Sequence, residues 1–336
     1  MLTRRAGRRT NLALLLLICA AGATGALGFA LGTGSVRWVL VGHAVAGFAI
    51  VALAPWKGNI ARRGIRHRNP GRAASVAFGV LVLSSILFGL LHSTGVARMI
   101  GPLTAMQLHV GAAVAALPFA VWHIAARRAR PRRTDLSRRT LIRSAALLGG
   151  SAIAYGAVES ALRVGGLPGA TRRFTGSYRG PSSALPVTQW LTDGVPRIDV
   201  ERWRLSVRAR DGELRVAYPE LARHRDRINT VLDCTGGWFS TQEWEGIRLD
   251  RLIGEPNGAR SINIVSSTGY SRRFPIGDAS RLVLAVRMAG RPLEAGHGFP
   301  ARLVAPGRRG FWWVKWVDLV ELSDTPWWWQ APFPLT

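Results

Sequence analysis

The chain has 336 residues, with 45 Lys and Arg against 19 Asp and Glu, and a formal net charge of +26. This length favours two domains. The charge does not indicate nucleic-acid binding, because the arginines crowd the gaps between apolar runs and form no basic stripe interleaved with aromatic residues. The two cysteines, Cys19 and Cys234, provide no disulfide framework.

The first half of the chain contains apolar runs that are long enough to cross a membrane. A helix needs about 20 apolar residues to span roughly 30 Å of hydrocarbon. Five runs meet this length, at residues 11–33, 36–56, 73–97, 103–126 and 141–165. The first run is not expected to be a cleaved signal peptide, because a second span follows almost at once and no clear cleavage site separates the two.

Basic residues concentrate on one side of the predicted bundle. Four arginines precede the first span, six Lys or Arg lie within 57–72, and seven arginines lie within 127–139. The other two connections carry only Arg37 and Arg98. Because cytoplasmic loops carry an excess of Lys and Arg, these basic segments are expected in the cytoplasm. Everything after residue 165 is then expected on the extracytoplasmic face of the cell (inner) membrane.

Three histidines are predicted to lie at one depth in the membrane. His43 lies six residues past Arg37, His92 six before Arg98, and His109 seven past Pro102, which places all three about 10 Å below the outer surface at helical rise. An imidazole in hydrocarbon is costly unless it is paired or binds a metal, and two imidazoles at one depth can be the axial ligands of a haem b. We therefore predict one haem held by His43 and His109, with His92 as an alternative ligand or a quinone-site residue. The alternative is that these are ordinary buried histidines that hydrogen-bond between helices.

A fourth histidine adds a resemblance to di-haem membrane cytochromes b. His109 and His123 are fourteen residues apart, close to four helical turns, so they share one face. In those cytochromes two helices each carry two histidines at such a spacing. Here Lys57 stands fourteen residues after His43, which leaves His123 without a partner for a second haem.

The segment "DLSRRTLIR" before the fifth span resembles a twin-arginine export signal. Arg138 and Arg139 follow Ser137, and an apolar run comes next. The alternative is that these arginines only add positive charge to the cytoplasmic flank. The export interpretation gains weight if the half after this span carries a cofactor inserted in the cytoplasm.

From about Arg202 the sequence predicts short strands broken by turns. "WRLSVRARDGELRVAY" is typical of a hairpin that turns at Asp211-Gly212. A strand-like run ends at Cys234, and a glycine turn and a tryptophan-rich loop then lead into a short helix at "GIRLDRLI". A thiolate at a strand end beside such a turn can bind a soft metal. The alternative for this cysteine is inert burial.

Two segments of this half, "LDCTGGW…EWEGIRLDRLI" and "GHGFPARLVAPGRRGFWWVKWVDLVEL", resemble the sulfite-oxidase-type molybdopterin domain over about residues 202–322. The resemblance implies an α+β domain in which Cys234 binds molybdenum beside the dithiolene of one molybdopterin. It also implies that His297, Arg302 and Lys315 hold the pterin and its terminal phosphate. Forked guanidinium and ammonium donors suit a phosphate dianion. The alternative is that "GRRG" is a solvated turn and His297 a strand-end residue.

The resemblance also bears on the substrate. Tyr270 falls where the family has an active-site tyrosine, which implies a catalytic role; the alternative is a half-buried strand tyrosine. Sulfite oxidases carry an arginine and a histidine just before the first strand, where the arginine helps bind the anionic substrate. In residues 185–203 neither appears where expected, so sulfite is not a firm expectation. Arg272 and Arg273 could attract an anion instead. The tryptophans near the C-terminus are expected to pack in the core or meet the bilayer interface, and packing is favoured.

Together these patterns predict a five-span α-helical membrane bundle at 1–165, a linker and domain entry at 166–200, and an extracytoplasmic α+β molybdopterin-binding domain at 201–336. The predicted activity is oxygen-atom transfer at molybdenum on a small-molecule substrate, coupled through haem b to a quinone pool or another electron carrier, in contact with membrane lipid and not with nucleic acid. Alternatives are a quinol-driven S-oxide or N-oxide reductase and a non-catalytic membrane-anchored binding protein. A plain haem cytochrome with a structural exodomain is a further alternative.

Overall fold

The computed structural model describes residues 2–65, 71–126, 132, 135, 137–181, 185–188, 194–209 and 212–333. Parts of both basic connections, and Asp211 of the predicted hairpin turn, lie outside the described residues. The chain forms two compact units. The helical unit comprises Met1–Phe29 and Gly34–Gly176, and the sheet unit comprises Ser177–Thr336 with the segment Ala30–Thr33.

The helical unit contains five long apolar helices, one for each predicted span. They are α1 (Leu2–Ala30), α2 (Val36–Ile65), α3 (Arg72–Thr94), α4 (Ala105–Ala126) and α5 (Arg138–Val164). By length and composition each could cross a membrane. The third helix ends three residues earlier than expected, because Gly95 adopts a left-handed conformation and its N–H bonds to the carbonyls of Leu91 and His92. A small hairpin, β1 (Met99–Ile100) and β2 (Leu103–Thr104), then leads into α4.

Helix packing in this unit agrees with an up-and-down bundle. Helix α3 packs along α4, and α2 packs along α5. Arg8 on α1 pairs with Asp135, just before α5, at 2.7 Å, so both helices begin at the same end. Large apolar side chains remain exposed on the helices, among them Leu16, Trp38 and Ile153. The apolar surface of this unit is therefore not covered by the described residues.

The sheet unit is built mainly of antiparallel strands in two sheets. They are β3 (Tyr178–Arg179), β4 (Arg204–Ala209), β5 (Gly212–Ala217), β6 (Asp226–Cys234), β7 (Trp238–Arg248), β8 (Ser261–Ser266), β9 (Ser271–Pro275), β10 (Val283–Met288), β11 (Arg291–Pro292), β12 (Arg302–Val304) and β13 (Val317–Ser323). Two short helices, α6 (Tyr218–Leu221) and α7 (Leu249–Ile253), interrupt them. The mixture of strands and short helices fits the predicted α+β class.

One sheet has the order β5-β4-β13-β8-β9, and the other has the order β11-β10-β7-β3, with β12 on β10 and β6 on β7. Only β13 with β4 and β3 with β7 run parallel among the described strands. A core drawn from both sheets includes the fully buried Leu205, Trp244, Phe274 and Leu284. This core holds the ends of β6 and β12, where the candidate site lies.

The predicted hairpin is present as β4 and β5, with Leu205 opposite Val216. The predicted tryptophan-rich loop after Cys234 was wrong. Residues 238–248 form an eleven-residue strand along the whole of β6, and only Leu249–Ile253 is helical. The alternation was obscured because Ser240 and Gln242, which are polar, point into the protein together with Trp244.

The C-terminal tryptophans divide into two groups. Trp312, Trp313 and Trp316 are buried, as packing predicts. For Trp328 and Trp329 the prediction of packing was wrong, because 60% and 69% of these residues are exposed. The side chain of Gln330 accepts from the N–H of Arg273 on β9 and donates to its carbonyl, which fixes the turn that carries these indoles.

Candidate cofactor site

Cys234 is the last residue of β6 and lies in a tight turn. The turn closes through a hydrogen bond from Gly237 N–H to the Cys234 carbonyl at 3.2 Å. Gly237 has a φ of 91°, a conformation that favours glycine. The N–H of Gly236 donates to Cys234 Sγ at 3.3 Å. The strand end and its two glycines therefore fix the direction of a buried sulfur.

The surroundings of this sulfur shift the pKa of the Cys234 thiol in opposite directions. Burial raises the pKa of the Cys234 thiol, because the charged thiolate is poorly solvated. The N–H of Gly236 and the hydroxyl of Thr188 oppose this shift of the pKa. The positive charges of Arg309 and Lys315 also favour the thiolate. The sulfur therefore gives up its proton to a cation more readily than burial alone would allow.

A short extended segment, residues 185–188, connects this cysteine to a group of basic side chains. On one side, the Thr188 hydroxyl bonds to Cys234 and accepts from Trp238 Nε1 at 3.2 Å. On the other side, Lys315 Nζ donates to the Thr188 carbonyl at 2.9 Å, and His297 Nε2 donates to the Leu185 carbonyl at 3.0 Å. The structure thus brings the predicted metal ligand and two of the predicted phosphate ligands to the same strip of chain.

Arg302 is the third member of this group and carries a charge without a counter-ion. It is 2% exposed, and it forms no ion pair with any carboxylate in the described part of the chain. Its guanidinium lies over the indoles of Trp244 and Trp313, at 5.0 and 5.7 Å from the ring centroids. Burial lowers the pKa of Arg302 to about 10. A buried cation in this state is stabilised by an anion.

Gly298 explains how Arg302 and Lys315 approach each other. Its φ is 109°, and a Cβ at this position would lie 2.9 Å from Arg302 Cβ and 3.2 Å from Lys315 Cβ. Lys315 Nζ also donates to the Gly296 carbonyl at 2.8 Å. His297 lies between these two glycines, and its carbonyl accepts from Arg302 Nη1 at 3.1 Å. Histidine, arginine and lysine therefore converge around one glycine-rich turn.

Of the two ring nitrogens of His297, one forms a hydrogen bond and the other forms none with the described residues. Nε2 is engaged by the Leu185 carbonyl. Nδ1 lies 3.2 Å from Glu294 Oε2 but at an angle that makes no hydrogen bond, and it is buried. This nitrogen, like the unpartnered Nε of Arg302, is available to a bound group.

Tyr270 is connected to the same region through a loop. Its hydroxyl donates to the Phe311 carbonyl and accepts from Arg272 Nε at 3.0 Å. Phe311 lies in the turn Gly310–Trp312, and a Cβ on Gly310 would be 3.1 Å from Cys234 Cα. The phenol is thus fixed beside the loop that backs the cysteine, and Arg272 serves it as a hydrogen-bond donor.

Sequence reasoning missed a buried ion pair next to the cysteine. Arg309 pairs with Asp233, and both side chains are buried. The sequence indicates for Arg309 only a flanking position or one beside the phosphate. The one available signal was the carboxylate of Asp233 at the inner end of an apolar strand, where burial demands a cationic partner.

In the helical unit, the structure brings two of the three predicted haem ligands together. The rings of His43 and His109 have centroids 5.8 Å apart and planes at 87°. His43 Nδ1 donates to the Ala21 carbonyl at 2.9 Å, and His109 Nδ1 donates to the Ser85 carbonyl at 2.7 Å. Neither Nε2 hydrogen-bonds to another described residue.

The other two histidines of the helices have different partners. His92 Nε2 donates to the Gly176 carbonyl at 2.9 Å, which engages the nitrogen that would bind iron in the alternative ligand set. His123 Nδ1 lies 3.3 Å from Ser75 Oγ. On α2, Lys57 Nζ donates to Asn11 Oδ1 at 2.9 Å.

Comparison with known proteins assigns the sheet unit to a class. Residues 192–329 match the oxidoreductase molybdopterin binding domain. The matched part of the sheet unit therefore has the sequence of a molybdopterin-binding oxidoreductase domain, and Cys234, His297, Arg302 and Lys315 all lie within it.

Particular relatives include a sulfite oxidase and a nitrate reductase. The chain is 26% identical over 197 residues to mitochondrial sulfite oxidase of Mus musculus, covering 43% of this chain and 36% of the relative. It is 27% identical over 124 residues to nitrate reductase [NADH] of Ulva prolifera, covering 30% and 14%. The chain thus spans about a third or less of the curated relatives it matches. Among solved structures, the sulfane dehydrogenase SoxCD from Paracoccus pantotrophus matches with 24% identity and a TM-score of 0.37, covering 39% of this chain and 41% of that one.

Proposed function

We propose that this chain is a membrane-anchored, extracytoplasmic molybdenum–molybdopterin oxidoreductase that exchanges electrons with a quinone pool through a membrane haem b. One observation carries the proposal. The buried Cys234 at a strand end bonds to Thr188 of the segment 185–188. His297 bonds to Leu185 of the same segment and accepts from Arg302, whose buried guanidinium has no counter-ion among the described residues. The match to the molybdopterin binding domain supports this assignment.

The side chains fit the two ends of such a cofactor. Cys234 Sγ would be the protein ligand of molybdenum, since a soft thiolate suits a metal that already has sulfur ligands. Arg302 and Lys315 would hold the terminal phosphate by charge-assisted hydrogen bonds, and His297 Nδ1 would bond to the pterin. When bound, the cofactor supplies two-electron oxygen-atom transfer.

Tyr270 would contribute at the reacting oxygen of the substrate. Its hydroxyl proton now points at the Phe311 carbonyl, and Arg272 Nε donates to its oxygen. A substrate oxygen that competes for this proton would be oriented by the phenol. Arg272 stabilises the phenol oxygen when its proton is shared.

Two histidines of the helical unit fit a haem. The rings of His43 and His109 have centroids 5.8 Å apart, so these two imidazoles could together hold one haem iron. The carbonyls of Ala21 and Ser85 hold the Nδ1–H tautomer, which leaves Nε2 as the iron ligand. His92 remains the alternative ligand or a quinone-site residue.

The helical unit supports the membrane part of the proposal. Five helices of sufficient length leave large apolar side chains exposed, and lipid would cover them. Arg138 and Arg139 are exposed in the first turn of α5, after the N-cap Ser137. A twin-arginine route would export the sheet unit folded, with a cofactor already inserted in the cytoplasm.

The deciding experiment is purification from membranes followed by metal analysis and a reduced-minus-oxidised optical spectrum. We expect about one molybdenum per chain, and its loss in Cys234→Ser. Cys19→Ser, which changes the exposed cysteine of α1, is the matched control and should retain the metal. Native protein without molybdenum would contradict the proposal.

Substrate assays then separate an enzyme from a binding protein. Sulfite, sulfoxides and N-oxides would each be tested for reducing or reoxidising the haem. Turnover that requires Cys234 would identify an enzyme. Whether the haem is reduced or reoxidised would give the direction of the reaction. Bound pterin and molybdenum with no metal-dependent turnover on any of these would favour a non-catalytic binding protein.

A further inference from the structure

A closed network of three buried side chains lies directly behind the candidate metal ligand. Arg309 Nη1 donates to Asp233 Oδ1, and Ser177 Oγ donates to the same oxygen at 2.7 Å. Arg309 Nη1 also reaches Ser177 Oγ at 3.4 Å. Arg309 is 3% exposed and Asp233 4%, and Ser177 is fully buried. None of these residues has a role in the proposed cofactor binding.

The network is joined to the backbone of the cysteine itself. Arg309 Nη2 donates to the Cys234 carbonyl oxygen at 3.4 Å, and Asp233 and Arg309 form a parallel β-bridge. The next residue, Gly310, packs so closely that a Cβ would lie 3.1 Å from Cys234 Cα. Residues 309 and 310 therefore form the wall against which the end of β6 rests.

The buried ion pair of Arg309 and Asp233 is better explained by the position it fixes than by stability it adds to the fold. Two charges removed from water repay the desolvation cost only with good geometry, and apolar residues of similar volume usually stabilise a fold as well or better. What a buried ion pair adds is fixed direction. Here the fixed object is the peptide that carries Cys234, so a shift of Arg309 would turn the sulfur.

We infer that the network of Arg309, Asp233 and Ser177 is a positioning device that fixes the direction of Cys234 Sγ towards the metal. The inference rests on the proposed function, and it concerns how the thiolate is presented rather than whether the cofactor binds. Arg309 is a positioning residue, because it acts through the cysteine and touches no reacting atom.

The test compares Arg309→Gln with Arg308→Gln in the full chain purified from membranes. Arg308 is the adjacent, half-buried arginine and pairs instead with Asp278 at 2.9 Å. The measurements are molybdenum and pterin content, the thiolate-to-molybdenum charge-transfer absorption and molybdenum–sulfur distances from X-ray absorption. In Arg309→Gln we expect a shifted charge-transfer band and changed molybdenum–sulfur distances, while the pterin content stays that of the unmodified protein. Arg308→Gln should match the unmodified protein.

A conservative variant and a milder one complete the test. Arg309→Lys should restore the band in part, because an ammonium can pair with Asp233 but cannot also fork to the Cys234 carbonyl. Ser177→Ala removes one hydrogen bond and should shift the band less, in the same direction, even if Arg309→Gln fails to fold. An unchanged band and unchanged distances in the folded variants would overturn the inference and leave the proposed function intact. Absence of molybdenum from the unmodified protein would instead defeat the proposed function.

Discussion

At the scale of the residue, the most informative group in the sheet unit is Arg302. Its guanidinium is buried against two indoles and has no carboxylate partner among the described residues. An arginine kept for stability alone would be expected to have one, as Arg287 has Glu245 at 3.1 Å. A charge left in this state costs stability until an anion arrives. The phosphate of a pterin is an anion of suitable charge and shape.

We predict opposite effects of Arg302→Met on the empty and the loaded protein. In cofactor-free protein the free energy of unfolding should stay the same or rise by about 1 kcal/mol, because an uncompensated buried charge is removed. In loaded protein the cofactor should be lost. Denaturant unfolding and pterin content measure the two effects.

The pH dependence of the stability gained by Arg302→Met is set by the direction in which folding shifts the pKa of Arg302. Because folding lowers the pKa of Arg302 to about 10, the folded state carries the charge penalty below that pH and is relieved of it above. The advantage of Arg302→Met should therefore shrink as the pH rises through about 10. Arg287→Met, which breaks an ion pair, should be destabilising at neutral pH. Equal destabilisation of both variants with the cofactor retained would contradict the anion site.

Gly298→Ala should weaken the site by another route. The φ of 109° and the close approach to Arg302 and Lys315 leave no room for a methyl group, so both basic side chains must move. We expect a strain of about 1–3 kcal/mol and a lowered pterin content. Gly290→Ala is the matched control, since its φ is 75° but nothing lies within 4 Å of the added Cβ. Pterin loss of equal size in both variants would show that backbone strain alone is responsible.

At the scale of the element, the sequence predicted the helices and strands that have a simple apolar period, and it failed where burial reverses polarity. The five helices and the β4–β5 hairpin were predicted because their apolar residues recur at the spacing of a helix or a strand. Strand β7 was missed because Ser240 and Gln242 face inward. Asp233 was missed for the same reason, since its buried charge is satisfied by Arg309, seventy-six residues away in the chain. Contacts of such separation leave no local pattern to read.

The paired rings on α2 and α4 support a prediction for the helices. If the proposed haem is present, His43→Ala and His109→Ala should each abolish its absorption in membranes, because each would remove one of its two proposed ligands. His123→Ala, which changes a histidine in contact with Ser75, should retain it. If His92→Ala abolished the absorption and His43→Ala did not, the ligand pair would be a different one.

At the scale of the whole molecule, a feature of the chain order needs an explanation. The fifth helix of the helical unit directly precedes the cofactor-binding unit, and it begins with the arginine pair after Ser137. Arg8 and Asp135 place the starts of α1 and α5 at one end of the helical unit. The charge pattern predicts that this end faces the cytoplasm. Whether the arginines are a charge flank or an export signal can be decided by a substitution that keeps the charge.

Replacing Arg138 and Arg139 together by lysine should leave the charge flank unchanged and abolish twin-arginine export. We expect the sheet unit to become resistant to protease added outside spheroplasts, while α1 to α4 remain in the membrane. Arg132→Lys, an exposed residue of the same connection, should have no effect. Continued protease sensitivity of the double variant would leave the arginines as topological charges only.

The segment 185–188 has a consequence for how the empty protein is filled. Its carbonyls hold His297 and Lys315, two of the groups that a pterin would claim. In the proposed site Lys315 would exchange the Thr188 carbonyl for the phosphate, whereas His297 would keep its bond to Leu185 and offer Nδ1 to the pterin. We expect the rate of reconstitution to become independent of pterin concentration, because the release of Lys315 from the Thr188 carbonyl would then limit it.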